Sequence, residues 1–186
     1  MNGHKSGHAS HYGYVKQPDQ LIFDLDPGPD VDWPAVKSAA QDLRAGLEKL
    51  GLVSFLKTTG GKGLHIVVPF ARGPSWAEAK HFARSFPDVL AKAEPNRFTI
   101  NNRKDVCTGR IFIDYLRNDE TSSAVAPYSV RARPGAPVSL PIDWTGLTRL
   151  KAGDAFHIKD ALKQRKDLWA GMAKACRQKL PLGETK

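Results

Sequence analysis

The amino-acid sequence predicts an α+β domain, and three observations carry that expectation. Residues 21–26 alternate apolar with polar like a strand, residues 33–50 carry apolar side chains at three- and four-residue steps like a helix, and a glycine turn at 59–63 separates two apolar runs like a hairpin. Strands and helices therefore mix, but without the regular strand–helix–strand alternation of a doubly wound sheet.

The first twenty residues are polar, aperiodic and rich in glycine and histidine, and read as a flexible arm (1–20) before a core at 21–180 and a short tail at 181–186. Leu21-Ile22-Phe23-Asp24-Leu25-Asp26 then runs into Pro27-Gly28-Pro29, a strand stopped by turn formers. Over 33–50, Val36, Ala40, Leu43, Leu47 and Leu50 predict an amphipathic helix, with Asp32 as N-cap, Pro34 in the first turn and Gly51 just past the end. Strands at 53–57 and 64–70 flank the turn Thr59-Gly60-Gly61-Lys62-Gly63. A second helix is expected over 75–93, broken or kinked by Pro87. RIFIDYL at 110–116 is a strong strand, and 124–131 is expected to be its hairpin partner. Residues 134–144 are proline-rich and read as irregular, and a basic helix is expected over 159–179.

A length of 186 residues suits one domain with a real core. No run approaches the roughly 18 apolar residues of a membrane span, and the start lacks the apolar stretch of a secretory signal, so a cytoplasmic, nucleoid-associated protein without a membrane partner is expected. Cys107 and Cys176 form no CxxC pair, which argues against a disulfide framework or a cysteine zinc site. The 28 basic against 19 acidic side chains leave a net charge of +9, and the pI is about 9.7. That excess favours a polyanionic partner, nucleic acid first, although it also serves solubility.

Two aspartates two apart on a strand share one face, about 7 Å apart. Asp24 and Asp26 so placed repel each other and raise each other's pKa unless a cation intervenes, and hard divalent ions such as Mg²⁺ or Mn²⁺ take carboxylate oxygens while keeping positions open for phosphate. Asp114 is a third acid, set in the apolar run Ile111-Phe112-Ile113 where desolvating a carboxylate is costly without a purpose. The plain alternative is that such aspartates cap turns, as Asp26 could before Pro27-Gly28. A second constellation is KTTGGKGLH at 57–65: Gly60, Gly61 and Gly63 would let backbone N–H groups converge on an anion, Lys62 would add a charge and Thr59 a hydroxyl. It departs from a Walker A loop, because Gly63 follows the lysine where Ser or Thr is needed. An ordinary hairpin turn, with His65 a hydrogen-bonded core residue, remains the alternative. Arg103, Lys104 and Arg110 before the IFID run, Arg117 after it, and Arg131 and Arg133 in SVRARP are the candidates for phosphate contacts, with Arg131 the strongest because its surroundings are apolar.

LIFDLDPGP (21–29), FLKTTGGKGLHIVVP (55–69), GRIFIDYLRN (109–118) and APYSVRARPGAPVSLPIDW (126–144) together resemble the polymerase domain of bacterial ATP-dependent DNA ligase D, in the archaeo-eukaryotic primase superfamily, over about 21–169. The resemblance implies a primase-type core with an RRM-like mixed or antiparallel sheet and flanking helices. It implies a DNA-end nucleotidyltransferase of non-homologous end joining, using nucleoside triphosphates with two Mn²⁺ or Mg²⁺ ions, and working beside a DNA ligase and a Ku-like protein. By position, Asp24, Asp26 and Asp114 match the family's metal-binding acids, and Thr59, Lys62, His65 and Arg131 match residues that hold the incoming triphosphate. Two departures stand out. Thr59 replaces a serine but keeps the hydroxyl. The family's longer upstream segment, with its stacking aromatics, its grip on the DNA 5′-phosphate and a histidine before the first strand, has no recognisable counterpart in the arm that holds His4, His8 and His11.

Two other classes compete. A domain lacking that upstream part could be a DNA-binding or interaction module with little or no catalysis. DLDPG could also be an aspartyl phosphohydrolase motif, with Asp24 as nucleophile and Asp26 as acid, but Asp154 and Asp160 are poorly placed to complete it and the glycine turn would be idle.

Overall fold

The computed structural model describes residues 16–183, and its secondary structure is the α+β mixture expected. Strand β1 (Gln20–Pro27) alternates as its sequence demands: Leu21, Phe23 and Leu25 are fully buried, Asp24 is half-buried and Asp26 exposed. Helix α1 (Trp33–Lys49) begins at Asp32, whose side chain accepts from Ala35 N–H at 2.9 Å. It buries Val36, Ala39, Ala40, Leu43 and Leu47. Gly51 ends it at φ 74°, its N–H donating to Glu48 O and that of Leu52 to Leu47 O. This paired capping requires the left-handed backbone that glycine supplies. Leu50 falls on that cap and is exposed, so it leaves the apolar stripe to which its spacing assigned it.

The hairpin forms from β2 (Phe55–Thr58) and β3 (Leu64–Pro69). Helix α2 (Trp76–Ala93) starts with a reciprocal Ser75–Glu78 capping box and runs unbroken through Pro87. One missing ladder bond is offset there by packing, since Phe82, Ala83 and Pro87 are all buried. Strands β4 (Phe98–Thr99), β5 (Ile111–Asp114) and β6 (Pro141–Ile142) complete one six-stranded sheet in the order β4-β5-β1-β3-β2-β6; only the β4–β5 pair is parallel. The short helix α3 (Lys104–Cys107) bridges β4 to β5.

Three expectations are corrected. Residues 124–131 are not the hairpin partner of β5, whose two edges are taken by β1 and β4. Pro127 can donate no ladder bond and Tyr128 adopts φ 64°, so the segment bends and retains a bridge of Val130 to Val138. Residues 134–144 are not wholly irregular, because Pro141–Ile142 is the edge strand beside β2. The basic helix over 159–179 is reduced to α4 (Ile158–Lys163) and α5 (Met172–Ala175). Between them Trp169 packs on Phe55, with ring centroids 5.8 Å apart, and donates to Leu56 O at 3.0 Å. Ile158 and Leu162 are exposed, so no apolar stripe holds a longer helix in place.

The sheet's two faces differ. Leu21, Phe23, Leu25, Leu64, Ile66, Leu56, Ile111 and Ile113 join α1 and α2 in the main core. On the other face Ile22, Phe55 and Val67 form a smaller cluster under Trp169, Met172 and Ala175 of the C-terminal segment. Two residues further along each of these three strands, the same face turns polar. The histidines of the arm lie outside the described residues, and β1 begins at Gln20, with Asp19 O already accepting from Phe70 N–H.

Candidate active site

Strand register assembles the polar end of that face. His65 on β3 lies opposite both Lys57 on β2 and Asp24 on β1, and Asp24 lies opposite Asp114 on β5. Lys57, His65, Asp24 and Asp114 thus form one row across four strands, with directly paired Cα atoms about 4.5–5.5 Å apart. Asp26 stands one pleat further along β1. The three acids do converge, although they come from segments distant in sequence.

The acids are crowded and partly desolvated. Burial foremost, then repulsion by Asp24 and Asp114, pushes the Asp26 carboxyl above the ordinary carboxylate range, with Lys62 and Arg117 pulling the other way. Asp114, almost fully buried, is likewise raised by burial, against the Leu116 N–H bond at 2.8 Å and Arg117, whose Nε sits 3.1 Å from its Oδ2. Asp24 faces the Nε2 of His65 at 3.2 Å. Burial lowers the pKa of that imidazole despite the hydrogen bond to Asp24, and its buried Nδ1 has no partner. An Nε2–H donated to Asp24 leaves Nδ1 as an unused acceptor. Among the described residues no group of three His, Cys, Asp or Glu side chains forms a ready-made metal cage. His65 instead hydrogen-bonds one of the acids and Arg117 pairs with another.

Two clefts meet at the carboxylates. One, of about 550 Å³, is lined by Asp24, Asp26, Thr59, Gly61, Lys62, Gly63, His65, Arg117, Arg131 and Arg133, with residues 123–126 and 129–130 as the far wall. The other, of about 650 Å³, shares Asp26, Lys62 and Arg117 and adds Asp114, Asn102 and Lys104. Of the basic candidates, Arg103 and Arg110 line neither cleft, and Arg103 pairs with Asp105 at 2.8 Å in solvent.

Two amides of the glycine turn are engaged within the protein. Gly60 N–H donates to Gly153 O, and Gly61 N–H to Thr59 Oγ1, whose hydroxyl in turn donates to Gly63 O. These amides and the Thr59 hydroxyl close the turn itself. The glycines are needed for close approach: a Cβ on Gly63 would sit 2.2 Å from Leu25 O, and Gly60 adopts φ 66° against the Arg131 side chain. Arg131 is not on a strand, but its Nη1 donates to Thr59 O at 3.1 Å, holding the guanidinium over the turn.

A family model described as the LigD primase-polymerase domain matches residues 4–169. The chain belongs to that family. It is 42% identical over 157 residues to the multifunctional non-homologous end joining protein LigD of Pseudomonas aeruginosa, covering 84% of this chain and 19% of that protein. It is 28% identical over 134 residues to the bifunctional non-homologous end joining protein LigD of Bacillus subtilis, covering 69% of this chain and 21% of that one. The solved polymerase domain of Mycobacterium tuberculosis ligase D, in complex with DNA, superposes with a TM-score of 0.69 at 33% identity, over 71% of this chain and 46% of that chain. The chain thus spans about a fifth of the curated LigD proteins and about half of the solved domain.

Within this LigD-family fold, sequence reasoning missed several residues. Lys57 has no signal of its own within the glycine motif, and its place in the row depends on register. Gly153 has no sequence signal, yet its backbone packs so closely on the turn that a Cβ would lie 2.5 Å from Gly63 O. Asn118, fully buried, accepts from Ile22 N–H at 2.7 Å and donates to Ile22 O at 2.8 Å, completing the edge of β1 where β5 has ended. Asp154 lines a separate crevice beside Lys62, and Asp160 accepts from His157 N–H, so neither completes a phosphohydrolase site.

Proposed function

We propose that the polar end of the sheet is the catalytic centre of a divalent-metal-dependent nucleotidyltransferase that extends DNA ends in double-strand-break repair by non-homologous end joining. The observation that carries this reading is the register of Asp24 against Asp114, which sets three carboxylates on one open face between two basic clefts. An all-oxygen donor set of crowded, partly desolvated acids fits hard divalent cations. Asp24, Asp26 and Asp114 would hold two Mg²⁺ or Mn²⁺ ions. Such ions, when bound, neutralise phosphate charge and ease deprotonation of a hydroxyl nucleophile.

The chain's own residues do the rest. Lys62, Arg131 and Arg133 line the cleft that takes the triphosphate and offset its charge. His65 donates its Nε2–H to Asp24 at 3.2 Å and so orients that carboxylate beside the cleft. Lys104 in the second cleft and Arg117, shared by both, take the phosphates of the primer strand. The M. tuberculosis domain's complex with DNA supports DNA as a binding partner. A DNA ligase and a Ku-like protein are the expected working partners, given the relatives' end-joining role.

The test is primer extension with a labelled nucleotide and Mn²⁺ or Mg²⁺. Asp24→Asn and Asp114→Asn should abolish extension while leaving the fold and salt-dependent DNA binding intact. Full extension by both variants overturns the reading. One observation favours a binding module without catalysis, namely that His65 and Arg117 already engage two of the acids. DNA binding by the unaltered chain, with no extension under either metal, selects that alternative.

A further inference from the structure

Lys57 is the sole buried lysine or arginine among the described residues, at 1% exposure. Its ammonium offers three donors. It makes one hydrogen bond, to Ser139 Oγ at 2.9 Å, and among the described residues no carboxylate lies within ion-pair distance of it. A position needing only packing would hold leucine or methionine, because an unpaired buried ammonium is strongly unfavourable. Burial lowers its pKa to about 7, with Asp24 on β1 opposing and Arg131 on the 128–131 turn adding to the effect, while His65 on β3 stands directly opposite it.

Its one partner is a hub. Ser139 Oγ donates to Thr58 O at 2.8 Å, Ser139 N–H donates to Ser129 O at 2.9 Å, and Ser139 O accepts from Tyr128 N–H at 2.6 Å. Two residues earlier, Pro137 O accepts from Arg131 N–H at 2.8 Å. Lys57 and Ser139 therefore tie β2 to the turn that carries Arg131, whose guanidinium returns to Thr59 O. We propose that Lys57 is a positioning residue of the triphosphate subsite: through Ser139 it fixes the turn presenting Arg131. The inference rests on the preceding reading that this cleft takes a triphosphate.

The test is equilibrium binding of a fluorescent nucleoside triphosphate with Mn²⁺, which needs no turnover. Lys57→Met removes the charge and the bond at similar volume. It should weaken the nucleotide Kd about tenfold, the scale of one lost hydrogen bond to a charged group, while the thermal midpoint holds or rises and DNA binding is unchanged. In an Arg131→Ala background the same substitution should cost less than about threefold, because the residue it positions is gone. Between pH 6.5 and 8 the unaltered chain should lose more affinity than Lys57→Met, as the ammonium deprotonates. Undiminished nucleotide affinity in Lys57→Met overturns the proposal, as does a loss that persists in full without Arg131 and tracks a fall in thermal midpoint. Absence of triphosphate binding by the unaltered chain would instead remove the reading of the cleft, and this proposal with it.

Discussion

The two faces of the sheet are built from the same strands and serve opposite ends. On the helix-covered face Leu21, Phe23, Leu25, Leu64 and Ile66 are buried against α1 and α2, and each strand contributes apolar residues along its whole length. On the opposite face Ile22, Val67 and Phe55 pack under the C-terminal segment, and then Asp24, His65 and Lys57 take over one pleat later. The difference teaches where stability and function separate. The first face holds the fold, and the second carries groups whose burial costs free energy, which is why the proposed catalytic centre is placed there.

The largest expected effect breaks the polar face chemically. Asp114→Asn should lower primer extension by about 10³-fold or more, the scale of removing preorganised charge from a phosphoryl-transfer site. Its metal-free thermal midpoint should hold or rise, because one of three mutually repelling acids is neutralised. Extension assays and thermal melts on the same preparation check both parts.

Next, Phe23→Ala breaks the helix-covered face. It removes a fully buried ring that lies 5.6 Å from Phe86, and should cost about 3–5 kcal/mol in urea unfolding. The comparison predicts that these two substitutions trade signatures, one losing activity with stability intact and the other losing stability first.

A pH series sharpens the contrast. Lys57 has its folded pKa lowered to about 7 from 10.5, so over that interval the unfolded chain binds more protons and stability rises with pH. Asp26 and Asp114 have raised folded pKa values, so the folded chain holds protons more tightly, and stability without metal falls as pH climbs from the unfolded carboxylate value through the folded one. Urea midpoints at pH 7 and 9 should therefore increase for the unaltered chain and flatten for Lys57→Met.

The smallest effect belongs to Arg103. Exposed, paired with Asp105 and outside both clefts, it should change DNA affinity by less than about twofold when replaced by alanine. Arg117→Ala should weaken DNA binding more and reduce its salt dependence, as measured by titration at several salt concentrations.

Much of the fold was legible because it is written in local chemistry. The alternation at 21–26, the stripe from Val36 to Leu47 with Asp32 and Gly51 at its ends, and the Ser75-bounded helix each depend on contacts within a few residues. The misreadings came where distant partners decide. The β4–β5 pairing displaced 124–131 from the sheet, and a basic stretch became an irregular cover because Trp169 found Phe55 and Leu56. Within the site, the motif DLD named two acids directly, whereas the use of the turn's amides could not be read without Gly153.

By itself, then, the sequence determined which residues could carry the chemistry, because an acid in an apolar strand or a glycine run between strands departs from what packing alone would select. Only the tertiary structure decided their arrangement. It set Asp114 against Asp24, put Lys57 and His65 in the same row and folded Gly153 behind the turn. The reason is that register and backbone approach arise from pairings between remote segments, and a one-residue shift in any of them would send these side chains to the other face.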